Sequence, residues 1–314
     1  MEEAALQEHE LSLLGLKRRI IEKLVRAGFA TVEDLLYHSS REIMDRTGLP
    51  KKVVDDILSR AAVIADSGFK SAYEMLITEK MKITTGCKNL DKLLRGGIEV
   101  GNITEVFGEH GSGKSQFAMQ LSVMVQLPPK DGGLGKKAIY IDTEGSFSSS
   151  RIGAIAKFRG LDPNIVLSRI IYKRVAGVFE LLYSIRKAAK LVRDHDAGIL
   201  IVDSLTAPFR LEYQGLAALA ERQQKIEGAL MKLARIASYE EIAVLITNQV
   251  VESPGTKKTN IGSVGGHVIA HVSNLRILFR KGVGNKRIAM IEDSSFIPLG
   301  ETIFVIKDRG ITDP

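Results

Sequence analysis

Apolar positions in the first 65 residues recur every three to four: Ile20, Ile21, Leu24 and Val25, then Val32, Leu35 and Leu36, then Val53, Val54, Ile57 and Leu58. That period lines one side of a helix, so the segment predicts short helices packed through apolar faces. Ala27-Gly28-Phe29 and Thr47-Gly48-Leu49-Pro50 interrupt it and read as the turns between them. From about Met81 the pattern changes. Strand-like runs at 103–107, 138–141, 199–202 and 243–247 alternate with helical periodicities. Near-continuous apolar strands of this kind fit a parallel sheet covered on both faces. Three later runs, at 275–279, 288–291 and 303–306, are separated by short turns and predict an antiparallel extension. The expected architecture is a small N-terminal all-α module over residues 1–65, a linker over 66–82, and an α/β core over 83–314 built on a twisted, mostly parallel sheet.

Composition narrows the classes without choosing one. The 314 residues are 45% hydrophobic and 26% charged, an ordinary globular mix. No run approaches the roughly 18 apolar residues of a membrane span, so no membrane partner is expected. The acidic start M-E-E-A-A-L-Q-E-H-E has no apolar secretory stretch. Cys87 is the single cysteine, which excludes an intramolecular disulfide and suits a reducing compartment. A cytoplasmic location, nucleoid-associated in a prokaryote, is the default expectation. A net charge of +7 is compatible with a nucleic-acid partner. Lys51 and Lys52 follow the second helical turn, where backbone N–H groups could meet a DNA phosphate. The same segment reads equally well as a bundle for packing or partner docking.

The chemistry begins at Gly108-Glu109-His110-Gly111-Ser112-Gly113-Lys114-Ser115, a full match to G-x-x-x-x-G-K-[ST]. It lies between a strand-like run and a helical one beginning at Gln116, the context a phosphate loop requires. The glycines let successive N–H groups face phosphate oxygens, Lys114 reaches the β- and γ-phosphates, and Ser115 offers a hydroxyl to Mg²⁺. The cofactors implied are ATP and Mg²⁺. The run I-L-I-V-D over 199–203 ends in Asp203, a candidate metal acid acting directly or through water. Y-I-D-T-E over 140–144 supplies Glu144 as candidate general base, with Asp142 supporting metal or loop. T-N-Q over 247–249 places the amide of Gln249 where it could sense a γ-phosphate.

Beyond these, a longer series is similar to one family. The run I-T-T-G-C-K-N-L-D-K-L-L-R-G-G-I-E (83–99), V-Q-L-P-P (125–129), Y-I-D-T-E-G (140–145), L-A-E-R-Q-Q-K (219–225), I-T-N-Q-V (246–250), G-G-H-V-I-A-H (265–271) and L-F-R-K-G-V-G-N-K-R-I-A (278–289) resembles the RecA/RadA recombinases, especially archaeal RadA and its eukaryotic relatives. The helical N-terminal module matches in kind, as a helix-hairpin-helix-like domain. The resemblance implies a RecA-like ATPase core and a DNA-dependent ATPase that polymerises on single-stranded DNA and exchanges strands with homologous duplex. Carried over by position, Lys114 and Ser115 bind phosphate and Mg²⁺, Glu144 is catalytic, and Asp203 is the metal-associated acid. Gln249 links the γ-phosphate to a second DNA loop, Arg151 stacks on adenine, and His271 lies at the inter-subunit nucleotide face. Potassium is a further candidate cofactor.

Phe69-Lys70-Ser71-Ala72 matches the family's F-x-x-A polymerisation motif. On an extended linker, Phe69 and Ala72 would fill two pockets on a neighbour and add a strand to its sheet. Self-association that does not close gives filaments, and closure gives rings. The DNA channel is expected between a first loop at about 210–222 and a second at about 251–264, with Arg222, Lys257 and Lys258 on phosphates. Arg280, Lys281, Lys286 and Arg287 form a basic hairpin that is a candidate holder of the second DNA or a solvated turn. The series also departs from the family: Leu216 and Ala217 follow Gly215 where an arginine is usual, His110 replaces a phenylalanine, and Leu299 replaces an acid. These departures keep open an alternative, a recombinase paralogue or mediator that binds ATP and docks on another recombinase without exchanging strands.

Overall fold

The computed structural model describes residues 11–66, 68, 69, 71–77, 80–215, 217–252, 261–263 and 266–314. It divides into two compact units, Met1–Glu79 and Lys80–Pro314. In the first, helices Arg18–Arg26, Val32–Leu36, Ser40–Thr47 and Lys51–Ile64 follow one another. Two begin in capping boxes, Thr31 with Asp34 and Ser39 with Glu42, which satisfy N–H groups the helix itself leaves unpaired. Their apolar faces bury Leu24, Phe29, Leu35, Ile43, Val54 and Ile57 completely. The guanidinium of Arg46 lies 4.2 Å from the Phe29 ring centroid and donates to the carbonyl of Ala27, closing the first turn.

The segment expected to be an extended linker is not extended throughout. A helix spans Ala72–Ile77, started by Ser71 and Glu74, whose side chains each bond the other's backbone N–H at 3.1 and 2.7 Å. Ala72 is thus the first residue of a helix, and the strand-addition geometry does not describe this segment as it stands. The cause is a capping box that begins at Ser71 inside the F-x-x-A match and closes at Glu74 just beyond it.

The second unit is organised by one sheet. Strands β3 (Ile103–Gly108), β4 (Lys137–Asp142), β5 (Ile170–Arg174), β6 (Ala197–Asp203), β7 (Ala243–Glu252), β9 (Leu275–Lys281), β10 (Lys286–Ser294), β11 (Glu301–Lys307) and β12 (Gly310–Thr312) take the order β12-β11-β10-β9-β3-β7-β6-β4-β5. A short β8 (Ile261–Ser263) pairs antiparallel with the end of β7, and β1 (Lys82–Ile83) with β2 (Ile98–Glu99) makes a separate ribbon. All six residues of β3 and all seven of β6 are buried, as the apolar runs require. The three late runs pair antiparallel with one another as β9, β10 and β11, and β12 continues the series. β9 joins them to the parallel part of the sheet through β3, with helix Gly266–Val272 making the connection after β8. β3 is central, flanked by β7 and β9, so the carboxyl ends of β3, β4, β6 and β7 bring Gly108, Asp142, Asp203 and Gln249 to one edge of the sheet.

Candidate nucleotide-binding and catalytic site

The phosphate loop leaves β3 at Gly108 and enters helix Lys114–Met124. A Cβ at Gly108 would stand 2.1 Å from the carbonyl oxygen of Phe279 on the neighbouring strand, so only glycine fits. Gly113 caps the helix at φ 107°, a left-handed conformation that side chains resist. Lys114 is 8% exposed, and its Nζ donates to the carbonyls of Gly108 and Glu109 at 2.9 and 2.8 Å. Burial pushes its ammonium below the ordinary lysine range, opposed by the negative charges of Glu144, Asp203 and Glu109. The loop therefore holds a cation that lacks a full anionic partner, which suits a polyphosphate. Ser112 Oγ is buried with no hydrogen-bond partner.

The loop forms one wall of a cavity of about 520 Å³, a size usual for small-molecule sites. His110, Gly111, Ser115 and Gln116 line it from the loop, with Glu144, Arg151 and Gln249 around the rest. Arg151 is held by all three guanidinium nitrogens: Nε on Gln116 Oε1, Nη1 on the Asp308 carbonyl and Nη2 on the Lys307 carbonyl, each at 2.6 Å. A plane fixed in this way presents a flat face against which a base could stack.

Asp203 is 1% exposed and takes three hydroxyl donors. Tyr140 and Ser146 donate to Oδ2 at 2.8 Å each, and Thr247 donates to Oδ1. Burial and the Asp203 charge push the Tyr140 phenol well above its usual range, so it remains a donor. With three of its lone-pair sites filled by hydroxyls, Asp203 has little capacity left to bind a metal ion directly. Among the described residues no group of three or more His, Cys, Asp or Glu could hold a metal. A Mg²⁺ here would draw its ligands from Ser115, phosphate oxygens and water, the usual habit of that ion.

Asp142 is taken up by the loop that follows it. Its carboxylate accepts the N–H groups of Glu144, Gly145, Ser146 and Phe147 and the Tyr172 hydroxyl, with Arg174 at 3.5 Å. It builds the loop that carries Glu144. The Glu144 side chain accepts from Ser204 Oγ at 2.8 Å and from Gln249 Nε2 at 3.2 Å. The peptide between Asp203 and Ser204 is cis. Gln249 on β7 and Glu144 beyond β4 are thus brought together although β6 lies between the two strands.

The remaining candidates fall elsewhere. Arg222 is half-buried and donates to the Tyr213 carbonyl at 3.4 Å. Arg280 is half-buried and His271 is exposed at the end of its helix. Lys257 and Lys258 lie outside the described residues. Phe69 is 108% exposed and Ala72 is exposed, so both are accessible. Part of the basic hairpin reaches the cavity. Arg287 turns inward, with Nε on the Gly111 carbonyl at 3.2 Å, and lines the cavity. Lys281 lies close to Gly111 as well. The sequence left the hairpin open between a second DNA and a solvated turn, because the contact with Gly111 spans 176 positions. Arg210, whose Nη1 donates to Gln249 Oε1 at 2.8 Å, was likewise not singled out.

Two comparisons with known proteins agree with this geometry. The family model described as Rad51 matches residues 77–314. The DNA repair and recombination protein RadA of Aeropyrum pernix is 42% identical over 306 residues, which cover 96% of each chain.

Proposed function

Because this chain belongs to the Rad51 family, we propose that it is a DNA-dependent ATPase that forms helical filaments on single-stranded DNA, pairs them with homologous duplex and exchanges strands in recombinational repair. The observation that carries this reading is the convergence of Lys114, Glu144, Arg151 and Gln249 on one cavity at the carboxyl edge of the sheet. Arg151 stacks on the base. Lys114 leaves the loop carbonyls for the β- and γ-phosphate oxygens. Glu144, fixed by Ser204, takes a proton at its carboxylate from the water that attacks the γ-phosphorus, while the bond to the ADP oxygen breaks. Bound Mg²⁺ would neutralise phosphate charge, held by Ser115 and oriented by Asp203.

Residues 1–65 serve as a DNA or partner module, and Phe69 and Ala72 dock on a second copy. Arg222, Lys257, Lys258 and Arg280 contact DNA phosphates, so binding weakens as salt rises. His271 lies at the face a neighbouring subunit would meet. No helix among the described residues is long and apolar enough to cross a membrane. A second reading, a nucleotide-switched mediator acting on another recombinase, is favoured by Gly215-Leu216-Ala217 in the first DNA loop, where no arginine follows the glycine.

ATP turnover with and without single-stranded DNA, beside electron microscopy of the same samples, tests both. DNA-stimulated turnover with filaments supports the recombinase, and ATP binding with neither supports the mediator. Glu144→Gln should cut turnover by roughly 10²–10⁴-fold, the usual contribution of a general base, and retained turnover would sink that assignment. Replacing potassium by sodium in the same assay decides whether potassium belongs among the cofactors.

A further inference from the structure

Helix Ala207–Glu212 follows β6 and leads into the first DNA loop, and it is braced at both ends. At its start, the Leu205 N–H donates to the Thr247 carbonyl at 3.1 Å and Thr206 Oγ1 bonds Asn248 Oδ1 at 3.0 Å. At its end, Glu212 Oε1 accepts the N–H of Val178 at 2.7 Å. Between these anchors the exposed Arg210 reaches Gln249, with Nη1 2.8 Å from Oε1. A carboxamide has one accepting and one donating end, and a guanidinium can only donate. The Gln249 oxygen must therefore face Arg210. Its NH2 is then left for Glu144, 3.2 Å away, and for whatever enters the cavity.

We propose that Arg210 is a positioning residue that fixes the orientation of the Gln249 amide and thereby couples the first DNA loop to the nucleotide site; this rests on the function proposed above. The outward half of the path is also built. The helix runs into Tyr213, whose carbonyl accepts from Arg222 at 3.4 Å and whose ring centroid lies 5.0 Å from Lys225 Nζ. Both cations come from helix Leu219–Tyr239, on the far side of the loop. A DNA phosphate that draws Arg222 away loosens the end of the helix carrying Arg210. A γ-phosphate oxygen that takes the Gln249 NH2 leaves Glu144 with the Ser204 hydroxyl. The two ligands thus act on opposite ends of one amide, and coupling between them is reciprocal.

The test is the affinity of the full-length protein for a fluorescent oligothymidylate, measured by anisotropy with Mg²⁺-ATPγS and with Mg²⁺-ADP. In the wild type the triphosphate tightens DNA binding. Arg210→Ala should shrink the ratio of the two affinities at least about 5-fold, the lower end of ordinary allosteric coupling. Arg210→Met, which keeps the stem without the donor, should behave as Arg210→Ala, and Arg210→Lys should restore most of the ratio. Arg210→Ala combined with Gln249→Ala should lose no more than Gln249→Ala alone. A wild-type ratio in Arg210→Ala or Arg210→Met, or losses that add in the double variant, overturns the assignment. A wild-type protein whose DNA affinity ignores the nucleotide overturns the proposed function along with it, so the two failures are told apart.

Discussion

Replacing Tyr140 by phenylalanine isolates one hydrogen bond at the heart of the site. The ring is fully buried, 5.1 Å from the Phe147 ring, and only the hydroxyl is removed. The void is one oxygen atom, so packing changes little. The loss falls on Asp203 Oδ2, which keeps Ser146 Oγ at 2.8 Å. A hydrogen bond to a charged group contributes about 1.5–3 kcal/mol. For a unit of this size each kcal/mol moves the melting temperature by about 2–4 °C, so the expected drop is about 3–12 °C. Tyr140→Phe with Ser146→Ala strips Oδ2 of both donors, and its cost should exceed the sum of the single costs, because an unsatisfied buried charge is dearer than two weakened ones. Differential scanning fluorimetry of the four proteins gives the cycle. A single variant melting within about 1 °C of wild type, or a strictly additive double variant, would refute the argument that three hydroxyls hold this carboxylate.

Three other outcomes follow from the same contacts. Because burial depresses the Lys114 ammonium from its ordinary 10.5, its charge opposes folding without nucleotide; that penalty is full below the lowered value and fades as pH rises through it toward 10.5. Lys114→Met should therefore melt no lower than wild type at neutral pH yet gain nothing from Mg²⁺-ATP, and a melting point several degrees lower would contradict this. Arg151→Ala should weaken nucleotide binding by about 1–2 kcal/mol, roughly 5- to 30-fold in Kd by titration calorimetry, and Arg151→Lys should not restore it because an ammonium lacks the planar fork. Phe69→Glu should leave melting unchanged and reduce the mass seen by light scattering to a monomer, and an assembly of wild-type size would remove Phe69 from the interface.

What was legible in the sequence was local. The phosphate loop spans eight consecutive residues, and a buried strand ending in an acid announces Asp203. Contacts between distant residues were not legible: Arg287 reaches Gly111 across 176 positions and Arg210 reaches Gln249 across 39. Nothing in the sequence around either arginine fixes a direction, so Arg287 stayed open between DNA and solvent and Arg210 marked only a loop boundary. β5 was missed because it is an edge strand in which buried and exposed positions mix, and β12 because it has three residues. Asp142 was ambiguous between metal and loop, and only the four N–H groups folding back on it decide the matter. The helix at Ala72 was concealed because Ser71, inside a motif read for another purpose, also starts a cap completed by Glu74 just beyond it.

The register of the central ladder has a genetic consequence. Gly108 stands opposite Gln249 on one side and Phe279 on the other. Side chains alternate between faces along a strand, so inserting or deleting one codon between Ala243 and Gln249 would turn Asn248 and Gln249 to opposite faces if the ladder stays in step. Two codons would restore the faces but carry the amide about 6.6 Å along the strand, beyond reach of Glu144. Length variation in this gene should therefore be absent from the codons for β3 and the first seven residues of β7. Any such variation should accumulate instead where chain length sets no register, in surface segments between elements.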